Sequence, residues 1–420
     1  MMKVGIIGVG TVGASVANIL RDNKDIITAR AGCEITPAIG VVNNLSKDRG
    51  VTVELTDDIE KVLNDDSIDI IVELMGGVEK PFEVVKKALA NGKAVVTANK
   101  ALLAYHRYEL QELAGETPFE YEAAVAGGIP IINALREGLT ANHIQSIRGI
   151  MNGTCNYMLT KMINEGVDYE TILKESQELG YAEADPTFDV GGFDAAHKLL
   201  ILGSIAYGID AKPEDILIEG IQDIAPEDID FANEFDYSIK LLTIAKKIGS
   251  EIELRVHPVF IPNNEMISKV DGVMNGVSVI GDKVGETMYY GPGAGGDATA
   301  SAVIANIVDI ARRGKGSPML GFESSHGEDL TLMSKDDIQT KYYLRLRVED
   351  KVGVLARVAT ILGDKNISIE KMIQKPLNRT CAHLLLSTHT SIEKDIVDAL
   401  NAIEEAGVVT AKPVMIRIED

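Results

Sequence analysis

Cysteine is scarce in this 420-residue sequence: Cys33, Cys155 and Cys381 lie far apart, with no C-x-x-C pair and no clustered histidines. That pattern excludes a disulfide framework and a cysteine zinc site, and it leaves reduced packing residues. Long apolar runs are also missing, none reaching the roughly 18 residues a membrane helix needs. The opening MMKVGIIGVG carries neither a basic leader nor a small-residue cleavage site, so the expectation is a cytoplasmic protein with no membrane partner. Positive charge is the third shortage: 41 basic residues face 63 acidic ones, a net charge of -22. Such a surface repels phosphate backbones, which argues against nucleic acid as a partner. What is present is a hydrophobic content of 45% over a length that accommodates two or three domains.

Residues 3–7, KVGII, form a short apolar run ending at GVGTVG, and ASVANIL then has helical spacing, so strand, tight turn and helix follow one another. AIGVVNN (38–44), DIIVELMG (69–76) and KAVVTANK (93–100) are further strands, separated by helical stretches such as PFEVVKKALANG. Strands alternating with helices predict a parallel sheet covered on both faces. The fold class is therefore α/β, beginning with a Rossmann-type, doubly wound nucleotide domain over residues 1–135. Residues 136–290 read as an α+β substrate and dimerisation domain. GPGAGGDATASAVIANIVDIARRG (291–314) then offers a Gly-rich turn entering a helix that returns the chain to the first domain, completing it over about 291–320. Gly, Ser, Pro and Asp make 313–340 a surface linker. Residues 341–420 follow the order of a ferredoxin-like βαββαβ module.

Gly8, Gly10 and Gly13 make G-x-G-x-x-G directly after a strand, where they permit a tight turn and close backbone approach to a pyrophosphate. The alternative is a turn that binds nothing, and the strand before and helix after favour dinucleotide binding. The second strand ends at Asn43 and Asn44 instead of an acid for the ribose 2'-hydroxyl, with Lys47 and Arg49 near enough in sequence to meet a 2'-phosphate. The expected cofactor is NAD(P), with NADP ahead. TANKALLA (97–104) sits at a strand's carboxyl end, so Asn99 and Lys100 face the cleft, or else form a helix cap beside a solvated lysine. EAAVAGGIPII (122–132) is a strand breaking into a Gly-rich loop with Pro130 starting a helix, or a domain hinge. In MNGTCNYML (151–159), Asn152, Gly153 and Thr154 bond a ligand or form a turn, and Cys155 reads as a packing residue.

GYAEADPTFDVGGFDAAHKLL (180–200) carries four acids, Glu183, Asp185, Asp189 and Asp194, before Lys198. Asp194 and Lys198 are four apart and share a helix face. A surface pair of this kind is worth little, but the following apolar run implies burial, and a buried lysine needs a partner or a task. A protonated lysine donates to an alkoxide formed by hydride addition; a neutral one removes that proton in reverse. Asp194 favours the charged lysine, whereas burial and Lys100 favour the neutral one, and the sequence leaves that balance open.

Together GVGTVG, TANKALLA, EAAVAGGIPII, MNGTCNYML and above all GYAEADPTFDVGGFDAAHK resemble homoserine dehydrogenase over residues 1 to about 320. The last module resembles an ACT domain, with DKVGVLARVA in place of the usual D-x-P-G-V-L, so Val352 stands where proline is common. The resemblance implies NAD(P)-dependent interconversion of L-homoserine and L-aspartate 4-semialdehyde, in threonine, methionine and isoleucine biosynthesis. It implies Lys198 as proton donor and acceptor, Lys100 beside the reacting oxygen and the cofactor, and Glu183 and Asp194 around the substrate ammonium group. Cofactor contacts would fall on Gly8, Gly10, Thr11, Val12, Gly13, Asn43, Lys47, Ala98, Lys100, Gly180 and Gly293. A monovalent cation, sodium or potassium, would take the Glu122 side chain and the carbonyls of Val125, Gly127 and Ile129. A pathway amino acid such as threonine is expected at Asp350, Gly353, Val354, Leu355 and Asn366, the module pairing with its copy in a homodimer or homotetramer. An amino-acid sensor with a non-catalytic dehydrogenase-like domain is the competing class; it needs neither Lys198 nor Lys100, and the chain carries both.

Overall fold

The computed structural model describes residues 1–314, 317–324, 326–327 and 329–419. They form two compact units. One comprises Met1–Gly153, Asp194–Asp215 and Val273–Leu330; the other comprises Thr154–Phe193, Ile216–Gly272 and Thr331–Asp420. The segment 136–290 is thus divided between the two units. Among the described residues no helix is long and apolar enough to cross a membrane.

In the first unit, β1 (Met2–Ile7), β2 (Ile35–Val41), β3 (Glu54–Thr56), β4 (Ile70–Glu73), β5 (Ala94–Thr97) and β6 (Phe119–Glu120) form a parallel sheet in the order β3-β2-β1-β4-β5-β6. This is the doubly wound dinucleotide order, and it reverses at β1/β4, where such sheets open a crevice at their carboxyl ends. Val4, Ile6, Ile70, Val72 and Val96 pack with Val16 and Leu20 of the helix Thr11–Asp22 and with Val303 and Ile307 of the helix Gly296–Arg313. The Gly-rich segment after residue 290 therefore does return to the nucleotide sheet. The same unit holds an antiparallel set, β12-β11-β7, from β7 (Ile144–Ile150), β11 (Met274–Gly281) and β12 (Gly285–Pro292).

The second unit is built on a mixed sheet ordered β9-β10-β18-β14-β16-β15. Its strands are β9 (Tyr237–Ile248), β10 (Glu251–Pro262), β14 (Gln339–Glu349), β15 (Ile369–Pro376), β16 (Cys381–Thr388) and β18 (Val414–Ile418), with β8 (Leu217–Ile218), β13 (Thr331–Leu332) and β17 (Ser391–Ile392) as short additions. With the helices Val354–Asp364 and Glu393–Glu405 inserted, residues from 339 on form the expected βαββαβ module around Leu344, Leu346, Val358, Leu384 and Ile396.

The expectation that this module hangs on a polar linker is corrected. β18 pairs in parallel with β10, setting Val259 opposite Arg417 and Phe260 opposite Ile418, and antiparallel with β14 on its other side. Buried Arg417 donates to Glu219 (2.7 and 3.0 Å) and to Glu393, and buried Arg255 donates to Glu253 and Glu419. Nor is 313–340 a bare surface connection: Met319 and Leu320 are buried, the Met319 carbonyl accepts from Tyr121 and Arg136, and β13 pairs with β10. Two apolar residues in a polar run were enough to anchor it.

Candidate active site

The crevice at the end of β1 is lined by Gly8, Val9, Gly10, Asn43, Arg49, Met75 and Lys80, among others, around a cavity of about 340 Å³. Glycine is required at position 8, where φ is +105° and a Cβ would lie 2.6 Å from the Leu74 carbonyl oxygen. Gly10 precedes the helix Thr11–Asp22 and has no capping side chain, so the first-turn amides stay open toward an anion. Two cations, Arg49 and Lys80, line the crevice with Asn43. Lys47 is not among the lining residues. Arg49 Nε is buried without a hydrogen-bond partner, as suits a guanidinium awaiting an anion.

At the ends of β4 and β5 lies a group that the sequence reading passed over. Glu73 is fully buried; it accepts from the Thr97 hydroxyl (2.6 Å) and the Met75 amide (2.6 Å). Burial pushes its carboxyl up to about 7 despite those donors. Asn99 caps the helix Lys100–Ala114 by accepting from Leu102, and it also donates to the Gly77 carbonyl (2.9 Å), tying the crevice loop to the helix. The helix-cap reading of Asn99 is therefore correct, whereas Lys100 is not a free surface lysine.

Lys100 Nζ pairs with Asp194 Oδ1, and Lys198 Nζ with Asp194 Oδ2 at 2.8 Å. Asp194 and Lys198 share a face of the helix Phe193–Tyr207, which is buried almost throughout, so the pair is buried and not a surface ornament. Lys198 also donates to the Met151 carbonyl (2.6 Å), and Asn152 Nδ2 donates to Asp194 Oδ2 (2.9 Å). Burial pushes the Asp194 carboxyl up, but Lys198 and Lys100 outweigh it and hold it well below the usual carboxylate range. His197, packed edge-on against Tyr105, is pushed down to about 4 by burial and is neutral beside them.

The loop after β6 brings backbone into close quarters. Ala126 and Gly127 both have left-handed φ (54° and 55°), and a Cβ on Gly127 would stand 2.5 Å from the Gly293 carbonyl oxygen. Glu122 is buried and accepts from the Ile132 and Asn133 amides (2.8 Å each). Burial pushes its carboxyl up to about 7. A cation beside it would restore the charged form, and each of its oxygens keeps a second acceptor site, so Glu122 with the neighbouring carbonyls fits a hard, oxygen-liganded ion.

Family models for homoserine dehydrogenase match residues 130–308, for its NAD-binding domain 8–122, and for the ACT domain 342–408. The chain is 54% identical to homoserine dehydrogenase of Helicobacter pylori over 420 residues, covering 100% of this chain and 99% of that protein. The chain belongs to the homoserine dehydrogenase family. A homoserine dehydrogenase structure from Thiobacillus denitrificans superposes with a TM-score of 0.93 at 46% identity, covering 100% of this chain and 98% of that one. A hyperthermophilic archaeal homoserine dehydrogenase in complex with NADPH does so at 0.63 and 27% identity, covering 73% and 97%. The chain is thus an oxidoreductase of amino-acid biosynthesis with a nicotinamide-dinucleotide domain and a C-terminal ACT domain.

The remaining residues inferred from the homoserine dehydrogenase resemblance fall as follows. Gly180 has a left-handed φ of 76°, and Glu183 is exposed on the second unit, its carbonyl accepting from Gln177. Of the two carboxylates expected around the substrate ammonium group, Asp194 is buried and Glu183 is exposed. Asp185 accepts from the Thr187 amide. Cys155 is buried with its thiol on the Asp189 carbonyl, a packing contact. In the ACT module Gly353, at φ 90°, precedes the helix Val354–Asp364, next to a fully exposed Val352. Asn366 precedes β15, which begins at Ile369. It sits in a left-handed turn (φ 57°) beyond the other end of that helix, about 16 Å from the Asp350–Leu355 turn at 1.5 Å per residue.

Proposed function

We propose that this chain interconverts L-homoserine and L-aspartate 4-semialdehyde, with Lys198 as the proton donor and acceptor, on the route to threonine, methionine and isoleucine in the cytoplasm. The observation that carries the reading is the buried Lys198 ammonium held between the Asp194 carboxylate and the Met151 carbonyl. The nicotinamide, when bound, supplies the hydride to the aldehyde carbon or takes it back from the alcohol. In reduction Lys198 gives a proton to the aldehyde oxygen as it becomes an alkoxide; in oxidation neutral Lys198 takes the hydroxyl proton. Lys100 stabilises the developing negative oxygen, and Asp194 keeps both lysines in place. Glu183, an exposed carboxylate, receives the substrate ammonium group.

NADP is the preferred cofactor in this reading, because Arg49 and Lys80 put two cations in the crevice beside Asn43, and its lining among the described residues includes no acid for a ribose hydroxyl. Glu122 and the carbonyls of Val125, Gly127 and Ile129 hold a monovalent cation. Threonine binds between paired ACT modules: one copy's Asp350–Leu355 turn is too far from its own Asn366 for a single small ligand, so a shared site needs two copies. The test is purified protein with homoserine and NADP or NAD, followed by the absorbance of the reduced cofactor. Steady reduction in the wild type, lost in Lys198→Ala, is expected; no reduction with either cofactor, or a fully active variant, would reject the reading.

A further inference from the structure

β4 ends at Glu73, which stands in register with Ile7 of β1 on one side and Thr97 of β5 on the other, and both Glu73 and Thr97 are fully buried. Their side chains start a closed ring of hydrogen bonds. The Thr97 hydroxyl donates to Glu73 Oε2 (2.6 Å) and accepts from the Asn99 amide (3.0 Å), while Asn99 Nδ2 donates to the Gly77 carbonyl (2.9 Å) and the Met75 carbonyl (3.4 Å). The Met75 amide, donating to Glu73 Oε1 (2.6 Å), closes the ring. Leu74, Met75 and Gly76 line the dinucleotide crevice, and the Leu74 carbonyl is the group that a Cβ at position 8 would strike, so this loop also backs the Gly8 turn. Asn99 caps the helix that opens with Lys100. A single carboxyl thus joins the crevice wall to that helix.

Resting on the reading of that crevice as the dinucleotide site, we propose that Glu73 is a positioning residue for the cofactor: its ionised carboxylate, by accepting from Met75 and Thr97 at once, holds the 74–77 loop in the shape that receives the dinucleotide. Two donors face the two carboxylate oxygens, and an ionised carboxylate only accepts. Protonation adds a third donor to this arrangement, so one bond must reverse or break. The Thr97 hydroxyl would then accept from Glu73 and lose the acceptor for its own proton, and the Met75 amide would exchange a charged acceptor for a neutral one. Burial raises the carboxyl to about 7, and the Thr97 hydroxyl, the Met75 amide and Asn99 act against it. Among the described residues no charged group acts on it, neither Arg49 and Lys80 at the crevice nor Lys100 and its partner Asp194. Charge alone predicts the opposite outcome, because discharging an acid near an anionic cofactor would tighten its binding. The sign of the pH effect therefore separates positioning from repulsion.

Calorimetric titration of NADH into the full chain, from about pH 8 down to about pH 6, tests this; NADH lacks the 2'-phosphate, a monoester that itself titrates near about 6. If the protonated form binds about tenfold more weakly, the difference between a charged and a neutral hydrogen bond, binding shifts the carboxyl down about one unit and affinity should fall about fivefold over that interval. Glu73→Gln, in which an amide NH2 replaces one acceptor, should bind about tenfold more weakly at the upper pH and hold that affinity at the lower. Thr97→Val, lacking one donor to the carboxylate, should move the fall to higher pH, and Thr97→Ser, which keeps the hydroxyl, should leave it in place. A wild-type affinity that is flat or rises as pH falls overturns the proposal. So does a Glu73→Gln chain that binds as the wild type does, or binds weakly but keeps the wild-type pH dependence. If Glu73→Gln fails to fold, the wild-type and Thr97→Val profiles carry the same decision. A wild type that binds neither NADH nor NADPH rejects the reading of the crevice and the role of Glu73 with it, whereas binding with the wrong pH pattern rejects only Glu73.

Discussion

Replacing Asp194 by Asn removes the single negative charge between two lysines, and the cost is set by how exposed each lysine is. Lys100 has a side chain 36% exposed and can turn to water. Lys198, at 10%, has little access to water and loses the carboxylate that pairs with it. The cost has a ceiling, because the lysine can give up its proton instead of staying charged. From an ordinary lysine value of about 10.4, deprotonation at pH 7 spans about 3.4 units at about 1.36 kcal/mol each, or about 4.6 kcal/mol. That agrees with the roughly 3–5 kcal/mol typical of a broken buried pair. At pH 9 the same ceiling falls to about 1.9 kcal/mol. The sign follows: in the variant the folded lysine binds its proton more weakly than the unfolded one, so variant stability rises as pH climbs toward the unfolded value. Asp194 in the wild type, held below the usual carboxylate range, stays ionised over this whole interval, so its own contribution does not change there. Hydrogen exchange of the amides in the helix Phe193–Tyr207 reads the local opening without requiring the two units to unfold together. Destabilisation approaching 4.6 kcal/mol at pH 7 and shrinking by more than half at pH 9 is expected; the same destabilisation at both would show that no buried ammonium was exposed.

Lys198→Ala should bind homoserine and cofactor nearly as the wild type does while turning over about a hundredfold slower or worse, the usual worth of a positioned acid or base; stopped-flow cofactor oxidation separates the two. Arg49→Ala should weaken NADP about tenfold or more and NAD little, as loss of a charge-assisted bond to a phosphate would do, read from KM ratios; equal losses would move Arg49 off the 2'-phosphate. Glu183→Gln should raise the homoserine KM and leave the cofactor KM in place, and the opposite pattern would reassign that carboxylate. Threonine titrated calorimetrically into the full chain should give heat and inhibition together; heat without inhibition would mean a site that no longer communicates, and neither would leave the ACT domain as a pairing module.

What was legible in the sequence was local. GVGTVG announces itself because strand, turn and helix are adjacent, and the acid four residues before Lys198 fixes a helical face whatever surrounds it. Glu73 bonds Thr97 from 24 positions away, and Asn152, offered by the sequence only as a ligand contact or a turn, meets Asp194 from 42 positions away, so no spacing rule pairs them; Lys80 lines the crevice without any local motif around it. Arg49 and Lys47 are near neighbours in a loop, and composition could not say which would face the crevice. The pairing of β18 with β10 joins residues more than a hundred positions apart, the kind of contact that local patterns do not encode.

That pairing also orders events in time. β10, β14, β15 and β16 are all made before β18, yet β18 is the strand that belongs between β10 and β14. Until β18 is made, the β10 and β14 backbone groups that it pairs in the finished sheet lack that partner, and an unpaired edge is an invitation to another chain. The sheet can close only when residues 414–418 arrive and Arg417 reaches Glu219 and Glu393. A nascent chain halted before that point would be a sticky half-sheet, and a chaperone that shields the β10 and β14 edges until β18 arrives would guard the most vulnerable moment in the life of this molecule.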